Sequence, residues 1–559
     1  MKKPLLFLLF TVCAFAVIST IKDREAGAQK YSGAKTKPPV SGEKNVNAAA
    51  CYECHATVKE LHTSGKHAGV NCSGCHKGLE RHLKNQTPET RPGTDTSWES
   101  CGKCHADQFD SFMNVTWHRP ARDEKSQLTN RAPNPYWDKL MAGHGFTKEH
   151  NLTRSHNWML IDHLVVDRAY GGRFQPKNGW LYVLEKGKAW DILTDKYPEV
   201  KEHRPFIPQS AAAANPVCLQ CKSQDQILQW SYMGDPVEGA AWSRTSKVNE
   251  FVKDLQHGLN CFTCHDPHAA KPRIVRDGLI EALTRADGDT LWHRDPGRTG
   301  IKVIEMGERG FKRKIALTDK YDTRLQCGQC HVEYNCNPGY DPKNGDLSKY
   351  SVTMADRRTN HFPYKDVFSL YDHYVNKVGF LDFKHALTGG LLWKAQHPES
   401  ETFYNSKHAK AGAGCDTCHT PKMKNKKTGK TYTSHFAVTP RVQIKEACLN
   451  CHKTWTEEQA KYSIDSVKAH IRGKMRKAEY WLSELIDKIV AGKKEGLDGE
   501  VIKQAQDQHL RAHILWEYWT AENSDGFHNP DMARESLTKS VDESQKGIKM
   551  ITDALTAKK

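Results

Sequence analysis

The clearest patterns of apolar and polar positions lie at the two ends of the chain. Near the C-terminus, Ile464, Val467, Ile471, Met475, Ala478, Leu482, Leu485 and Ile489 recur every three or four residues. That period predicts one long amphipathic helix, expected to break at Gly492 and Gly496. A second helix is predicted over residues 498–521, ending before Asp525-Gly526. A third runs from Pro530, a residue suited to a first helical turn, to about Leu555. Such helices pack against each other or a sister subunit. At the other end, Lys2 and Lys3, an apolar run from Leu5 to Val17, and Ala26-Gly27-Ala28 read as a secretory signal, residues 1–28. The apolar run is too short to span a bilayer comfortably, and Val12 before Cys13 does not suit lipid attachment. No later stretch is apolar enough to cross a membrane. The mature chain is therefore expected to be soluble, in the periplasm or an equivalent exported compartment.

Composition changes the picture of what lies between. Only 38% of the 559 residues are hydrophobic, too few for an ordinary core of this size. Eighteen cysteines are present, and sixteen fall into eight C-x-x-C pairs. These are Cys51/Cys54, Cys72/Cys75, Cys101/Cys104, Cys218/Cys221, Cys261/Cys264, Cys327/Cys330, Cys415/Cys418 and Cys448/Cys451. Seven are followed at once by histidine: His55, His76, His105, His265, His331, His419 and His452. A disulfide scaffold gives no reason for this spacing, and a zinc site gives no reason for the adjacent histidine every time. Covalent haem c accounts for both: two cysteines hold the porphyrin and the histidine binds iron. Eight haems also supply the missing apolar surface. Their propionates need Arg and Lys partners, which accounts for the net charge of +16 without nucleic acid.

One motif departs from the rest. In Cys218-Leu219-Gln220-Cys221-Lys222 a lysine replaces the histidine. With 29 histidines in the chain, 22 remain after the seven motifs, enough for a second ligand on each histidine haem. A bis-histidine haem is saturated and only transfers electrons. The altered motif therefore points to one haem doing chemistry. His67, His82 and His118 lie near the first three motifs as candidate second ligands, though each alone reads equally as a surface histidine.

Three stretches together resemble a known family. Cys218-x-x-Cys221-Lys222, Cys327-Gly-Gln-Cys330-His331-Val-Glu333-Tyr334 and Lys394-Ala-Gln396-His397-Pro-Glu look like the pentahaem cytochrome c nitrite reductases. Arg154-Ser-His156 is similar to the Arg-Gly-His before the lysine haem of that family, with a longer gap to Cys218 here. Three further motifs at the N-terminus make the whole resemble the octahaem nitrite reductases. Tyr334-x-Cys336 matches the tyrosine and cysteine that those enzymes join by a thioether. The octahaem hydroxylamine oxidoreductases are the main alternative. Their catalytic haem keeps its histidine and is linked to a tyrosine from the C-terminal helices, a part Tyr480 or Tyr518 would have to play.

The resemblance implies a fold class: mainly α with little β, a haem-packed multihaem cytochrome c core and a C-terminal bundle of long helices. The division expected is a three-haem segment over residues 29–130, a catalytic five-haem segment over 131–453 and a helical segment over 454–559. It also implies a periplasmic enzyme reducing nitrite to ammonium, with hydroxylamine as a further substrate. Lys222 would hold the catalytic iron, and Arg154, Tyr334 and His397 would bind the anion and supply protons. Glu333, Gln396 and the carbonyls of Tyr334 and Lys394 would bind Ca²⁺, a hard cation that takes oxygen ligands. His156, His268, His408, His435 and His528 are carried over as second haem ligands, and His67 and His118 join them on spacing alone. An electron-donor cytochrome or quinol-oxidising partner and a homo-oligomer are implied. The alternatives left open are a hydroxylamine or hydrazine oxidoreductase and a non-catalytic electron conduit.

Overall fold

The computed structural model describes residues 43–113, 136–143, 156–159, 216–247, 258–307 and 309–559, with Leu255 and the strands Arg168–Ala169 and Arg173–Phe174. Residues 1–28, His118 and Arg154 lie outside them. Helix predominates and strand is sparse.

Most histidine motifs fold as single helical turns, while His76 and His265 pass into short strands paired with Thr94 and Pro272. The His55, His105, His331 and His452 N–H groups each donate to the carbonyl of their own first cysteine, at 2.9–3.0 Å. One turn brings both sulfurs and the imidazole to one side of the backbone. The lysine motif closes differently. The Lys222 N–H bonds Leu219 O at 2.9 Å, and the Cys218 carbonyl accepts instead from Lys222 Nζ at 3.2 Å.

The largest sheet among the described residues has four antiparallel strands in the order β1-β2-β4-β3. They are β1 (His265–Asp266), β2 (Lys271–Ile274), β3 (Ile301–Met306) and β4 (Arg313–Thr318). Ile304 pairs with Ile315, and these two with Met306 bury Leu61 and Ala269. The N-terminal segment is thereby docked on the residues after the fifth motif. Gly65 permits the contact: a Cβ there would stand 2.3 Å from Ala269 O.

Two short strands, β5 (Phe383–Lys384) and β6 (Leu391–Leu392), pair beside the C-terminal helices. Those helices are α1 (Glu457–Lys494), α2 (Gly499–Ala521) and α3 (Pro530–Lys558). Each start is capped. Thr456 and Gln459 form a reciprocal box, Asp498 accepts from Glu500 N, and Asn529 accepts from Met532 N before Pro530. The expected stripe is the packed face: Ile464, Ile471, Met475, Leu482, Leu485 and Ile489 are buried. Gly492 does not break α1 as expected. It lies inside the helix, where a larger residue would press on Leu497 and Ile502, and the chain turns at Gly496, whose φ is +65°. On α3, Ser536 and Ser540 donate to the Leu515 and Ala512 carbonyls of α2, both at 2.7 Å, so small residues draw the two helices together. Above this bundle Leu392 and Trp393 share one core with Leu482, Trp516 and Trp519. Burying side chains of that size contributes about 1.5–3 kcal/mol each, and it pins residues 391–396 to the helices.

Candidate active site

A single continuous cavity of about 3020 Å³ runs through the molecule, and all sixteen motif cysteines, the seven motif histidines and Lys222 line it. Around it the histidine rings stand in facing pairs. The ring centres are separated by 6.4 Å for His55–His82, 6.1 Å for His67–His105, 6.2 Å for His76–His268 and 6.4 Å for His156–His331. They are 6.3 Å apart for His265–His435, 6.4 Å for His408–His452 and 6.2 Å for His419–His528. Each pair holds one motif histidine and one histidine from elsewhere. Two metal–nitrogen bonds of about 2.0 Å, plus about 1.1 Å from each nitrogen to its ring centre, give a separation of about 6.2 Å across one iron. The residues therefore fit haem: sulfurs, paired axial rings and a cavity in one place. Lys222 is in none of these pairs.

Of the second ligands expected, His67, His156, His268, His408, His435 and His528 each face a motif ring. His118 is outside the described residues, and the ring facing His55 is His82, the other nearby candidate. His268 faces His76 of the N-terminal segment, not a motif of its own region.

The lysine motif sits in the core. Val217, Leu219, Gln220 and Cys221 are all buried, against Trp230, Tyr334 and Phe362. Lys222 is also buried. A neutral amine has two N–H groups and one lone pair, so the bond from Nζ to Cys218 O leaves the lone pair free. Tyr334, Gln396 and His397 line the same cavity. Burial pushes the Tyr334 phenol well above its ordinary range, with the Cys218, Cys221 and Cys336 thiols adding to the effect. Arg276 opposes it. That guanidinium is fully buried, stands 5.7 Å from the Tyr334 ring centre and 5.1 Å from that of Phe362, and has two nitrogens without partners. Cys336 is fully buried and its thiol hydrogen-bonds that of Cys218. The thiols stand where thioether sulfurs would be at the motifs. Tyr480 is 43% exposed, and Tyr518 bonds Thr402 at 2.9 Å and Pro398 O at 3.3 Å; neither lines the cavity.

Behind the cavity wall lies an acidic cluster. Glu333 is fully buried and accepts from Gln396 N at 2.7 Å and from the Tyr374 hydroxyl at 3.4 Å. Glu401 accepts from Glu333 N at 3.0 Å, Asp382 from Lys394 N at 2.9 Å, and Glu517 from Ala395 N at 3.1 Å. Burial pushes Glu333 and Glu401 well above the usual carboxylate range and Asp382 up to about 7. Asp382 Oδ1, Glu401 Oε2 and the Gln396 side-chain nitrogen have no partner. Among the described residues no three His, Cys, Asp or Glu side chains close on a metal by themselves. The donors that Glu333, Gln396 and the two carbonyls offer are nonetheless all oxygen, once the Gln396 amide is turned. Four buried carboxylates around one loop favour a hard cation there.

Sequence reasoning did not single out Arg276, Glu401, Asp382 or Glu517. A lone charged residue in sequence reads as a solvated one, and only the fold shows that these are buried together.

Comparison with known proteins adds the following. The family profile of cytochrome c552 matches residues 178–559. The NrfA subunit of cytochrome c nitrite reductase from Nitratidesulfovibrio vulgaris is 26% identical over 447 residues, 76% of this chain and 70% of that protein. Cytochrome c-552 of Haemophilus influenzae is 23% identical over 483 residues, 84% of this chain and 75% of its own length. Among solved structures, a cytochrome c nitrite reductase from Desulfovibrio desulfuricans, described with two calcium sites in its catalytic subunit, superposes with a TM-score of 0.57. That match is 23% identical and covers 82% of this chain and 86% of the other, so it establishes a shared fold.

Proposed function

This chain belongs to the cytochrome c552 family, and on that premise we propose that it is an exported octahaem cytochrome that reduces nitrite to ammonium. The reaction joins one nitrite, six electrons and eight protons to give one ammonium ion and two waters. The observation that carries the reading is the contrast between seven histidine pairs and one motif with lysine.

Haem held by Cys218 and Cys221 would supply an iron able to bind nitrite and the electrons for its reduction. Lys222, buried beside those cysteines, would hold that iron through its amine. An amine donates σ density and accepts none back, so it does not compete for the density that weakens the N–O bond. Arg154 and His397 hydrogen-bond the nitrite oxygens and offset their charge. His397, as an imidazole, is suited to hand on protons near neutral pH. Tyr334 closes the pocket, and a thioether from Cys336 to its ring lowers the phenol pKa. Glu333, Gln396 and the carbonyls of Tyr334 and Lys394 hold Ca²⁺ behind that wall. The seven paired centres use His67, His82, His156, His268, His408, His435 and His528 as second ligands and relay electrons from a donor cytochrome or quinol-oxidising partner. Hydroxylamine, a smaller substrate at the same reduction level as a late stage of the reaction, is also accepted. Among the described residues no helix is long and apolar enough to cross a membrane.

The test is to supply the haem-loaded protein with nitrite and a viologen reductant and to measure ammonium. One ammonium per nitrite consumed supports the reading. Consumption without ammonium, or none, defeats it.

A further inference from the structure

Two of the seven ring pairs are backed by carboxylates. His331, which faces His156, has its Nδ1 3.3 Å from Glu399 Oε2. His528, which faces His419, has its Nδ1 2.6 Å from Glu522 Oε1. A carboxylate only accepts, so each of these rings carries its proton on Nδ1 and keeps the Nε2 lone pair for iron. Neutral oxygens serve five other rings of the pairs. Nδ1 of His67, His419 and His435 bonds the carbonyls of Pro267, Val438 and Thr433 at 2.7–3.1 Å. Nδ1 of His76 and of His82 lies 3.2 Å from the hydroxyls of Thr94 and Thr90.

The two carboxylates are held in place from behind. Both are buried, and both are gripped by the turn between α2 and α3. Glu522 Oε2 accepts from Ser524 N at 3.0 Å, from Ser524 Oγ at 2.7 Å and from Gly526 N at 3.2 Å. Glu399 Oε1 accepts from Asn523 N at 3.0 Å and from the Asn523 side-chain amide. Each of these partners is a donor, so both oxygens of each group serve as acceptors. A fixed acceptor of this kind, in a site without solvent, acts on the ring more strongly than it would in water.

The two centres are neighbours, and one of them borders the lysine motif. The Cys327 thiol hydrogen-bonds that of Cys415, and the Cys330 thiol that of Cys221. The attachment sites served by His419–His528, by His156–His331 and by Lys222 therefore follow one another.

We propose that Glu399 and Glu522 lower the reduction potentials of the haem centres held by His156–His331 and His419–His528, making them a strongly reducing step next to the lysine motif. The inference rests on the octahaem reading. A hydrogen bond from Nδ1 to a carboxylate makes the ring a more basic ligand, and the more basic ligand favours ferric over ferrous iron. An electron held there has a larger drop to the lysine-held centre than one held behind a neutral acceptor. No bond forms or breaks and no proton moves. Glu399 and Glu522 act through the ligating rings, as positioning residues.

The experiment is a spectroelectrochemical titration, at one fixed pH, of the haem-loaded full chain and of Glu399→Gln, Glu522→Gln and the double variant. Each single variant should shift one one-electron step toward the reduced form by at least about tenfold in equilibrium constant, about 59 mV. The double variant should shift two steps, with the low-spin signals of the histidine centres retained. Glu522 also anchors the turn, so where Glu522→Gln fails to fold, Glu399→Gln decides alone. Steps that stay in place in folded Glu399→Gln overturn the proposal, and so does a shift spread evenly over all the steps, which would assign the effect to net charge. Mass spectrometry of the haem peptides separates the two levels. Absence of haem at Cys327/Cys330 and Cys415/Cys418 defeats the octahaem reading and this proposal with it. Haem present there without ammonium formation defeats the nitrite reading alone, and the titration still decides the role of the two carboxylates.

Discussion

The lysine motif and the three N-terminal motifs share a sequence pattern and have opposite surroundings. Among the described residues of the N-terminal segment the buried hydrophobic side chains are Leu61, Leu79 and Met113. On the octahaem reading, haem itself supplies most of that core. At the lysine motif the protein supplies it: Val217, Leu219, Gln220 and Cys221 are buried under Trp230, Tyr334 and Phe362, with a layer of carboxylates behind. On the octahaem reading, the sparsely packed segment suits electron delivery, where haem must lie near a partner. The enclosed one suits chemistry, where water is excluded and each donor must hold its position.

The sharpest way to break the contrast is to change one ligand in each region. Lys222→Gln should lower ammonium formation by about a hundredfold or more, while low-spin signals of the histidine centres stay as they were. His82→Ala, in the N-terminal segment, should lower the viologen-driven rate only a few-fold, since the reductant reaches other centres. Comparable losses in both variants would erase the distinction.

The next largest effect concerns the carboxylate layer. Glu333→Gln should release calcium, measured by elemental analysis, and reduce kcat about tenfold. Retained calcium would show that Glu333 is not a ligand. On the other side, Gly65→Val places side-chain atoms against Ala269 and should loosen the N-terminal segment by about 1–3 kcal/mol. Limited proteolysis should then remove that segment faster, with kcat under viologen little changed.

The smallest effect is electrostatic. Asp235, beside the enclosed region, is buried to a degree that would raise its pKa, but Arg357 and Arg244 hold it below its ordinary value. A depressed carboxylate contributes stability above its unfolded pKa and loses it as pH falls through the folded value. Asp235→Asn should therefore cost about 0.5–1 kcal/mol at pH 7, after screening by solvent, and less at pH 3. Thermal melts at the two pH values check this; an equal shift at both would assign the loss to packing.

What was legible in the chain follows from distance. Covalent attachment requires two cysteines and a ligand within one turn, so the eight motifs appear in sequence. The three helices announce themselves through the stripe from Ile464 to Ile489 and through Thr456, Asp498 and Pro530 at their starts. The partner of each motif histidine is chosen in space, and spacing does not disclose it. His82 and His118 were equal on spacing, and only the fold turns His82 toward His55. His268 follows the fifth motif by three residues yet faces the second. Gly492 looked like a helix breaker because its packing against Ile502 and Leu497 is invisible locally. Asp382, Glu401 and Glu517 come from separate parts of the chain, and nothing near any of them marks it as buried.

The central claim is that one centre in eight is open, and iron spin state measures it directly. Electron paramagnetic resonance of the fully haem-loaded, oxidised protein should show one eighth of the iron as a centre whose signal changes on adding nitrite, with the remaining seven eighths low-spin and unmoved. Eight low-spin centres indifferent to nitrite would contradict the account and leave the chain an electron conduit.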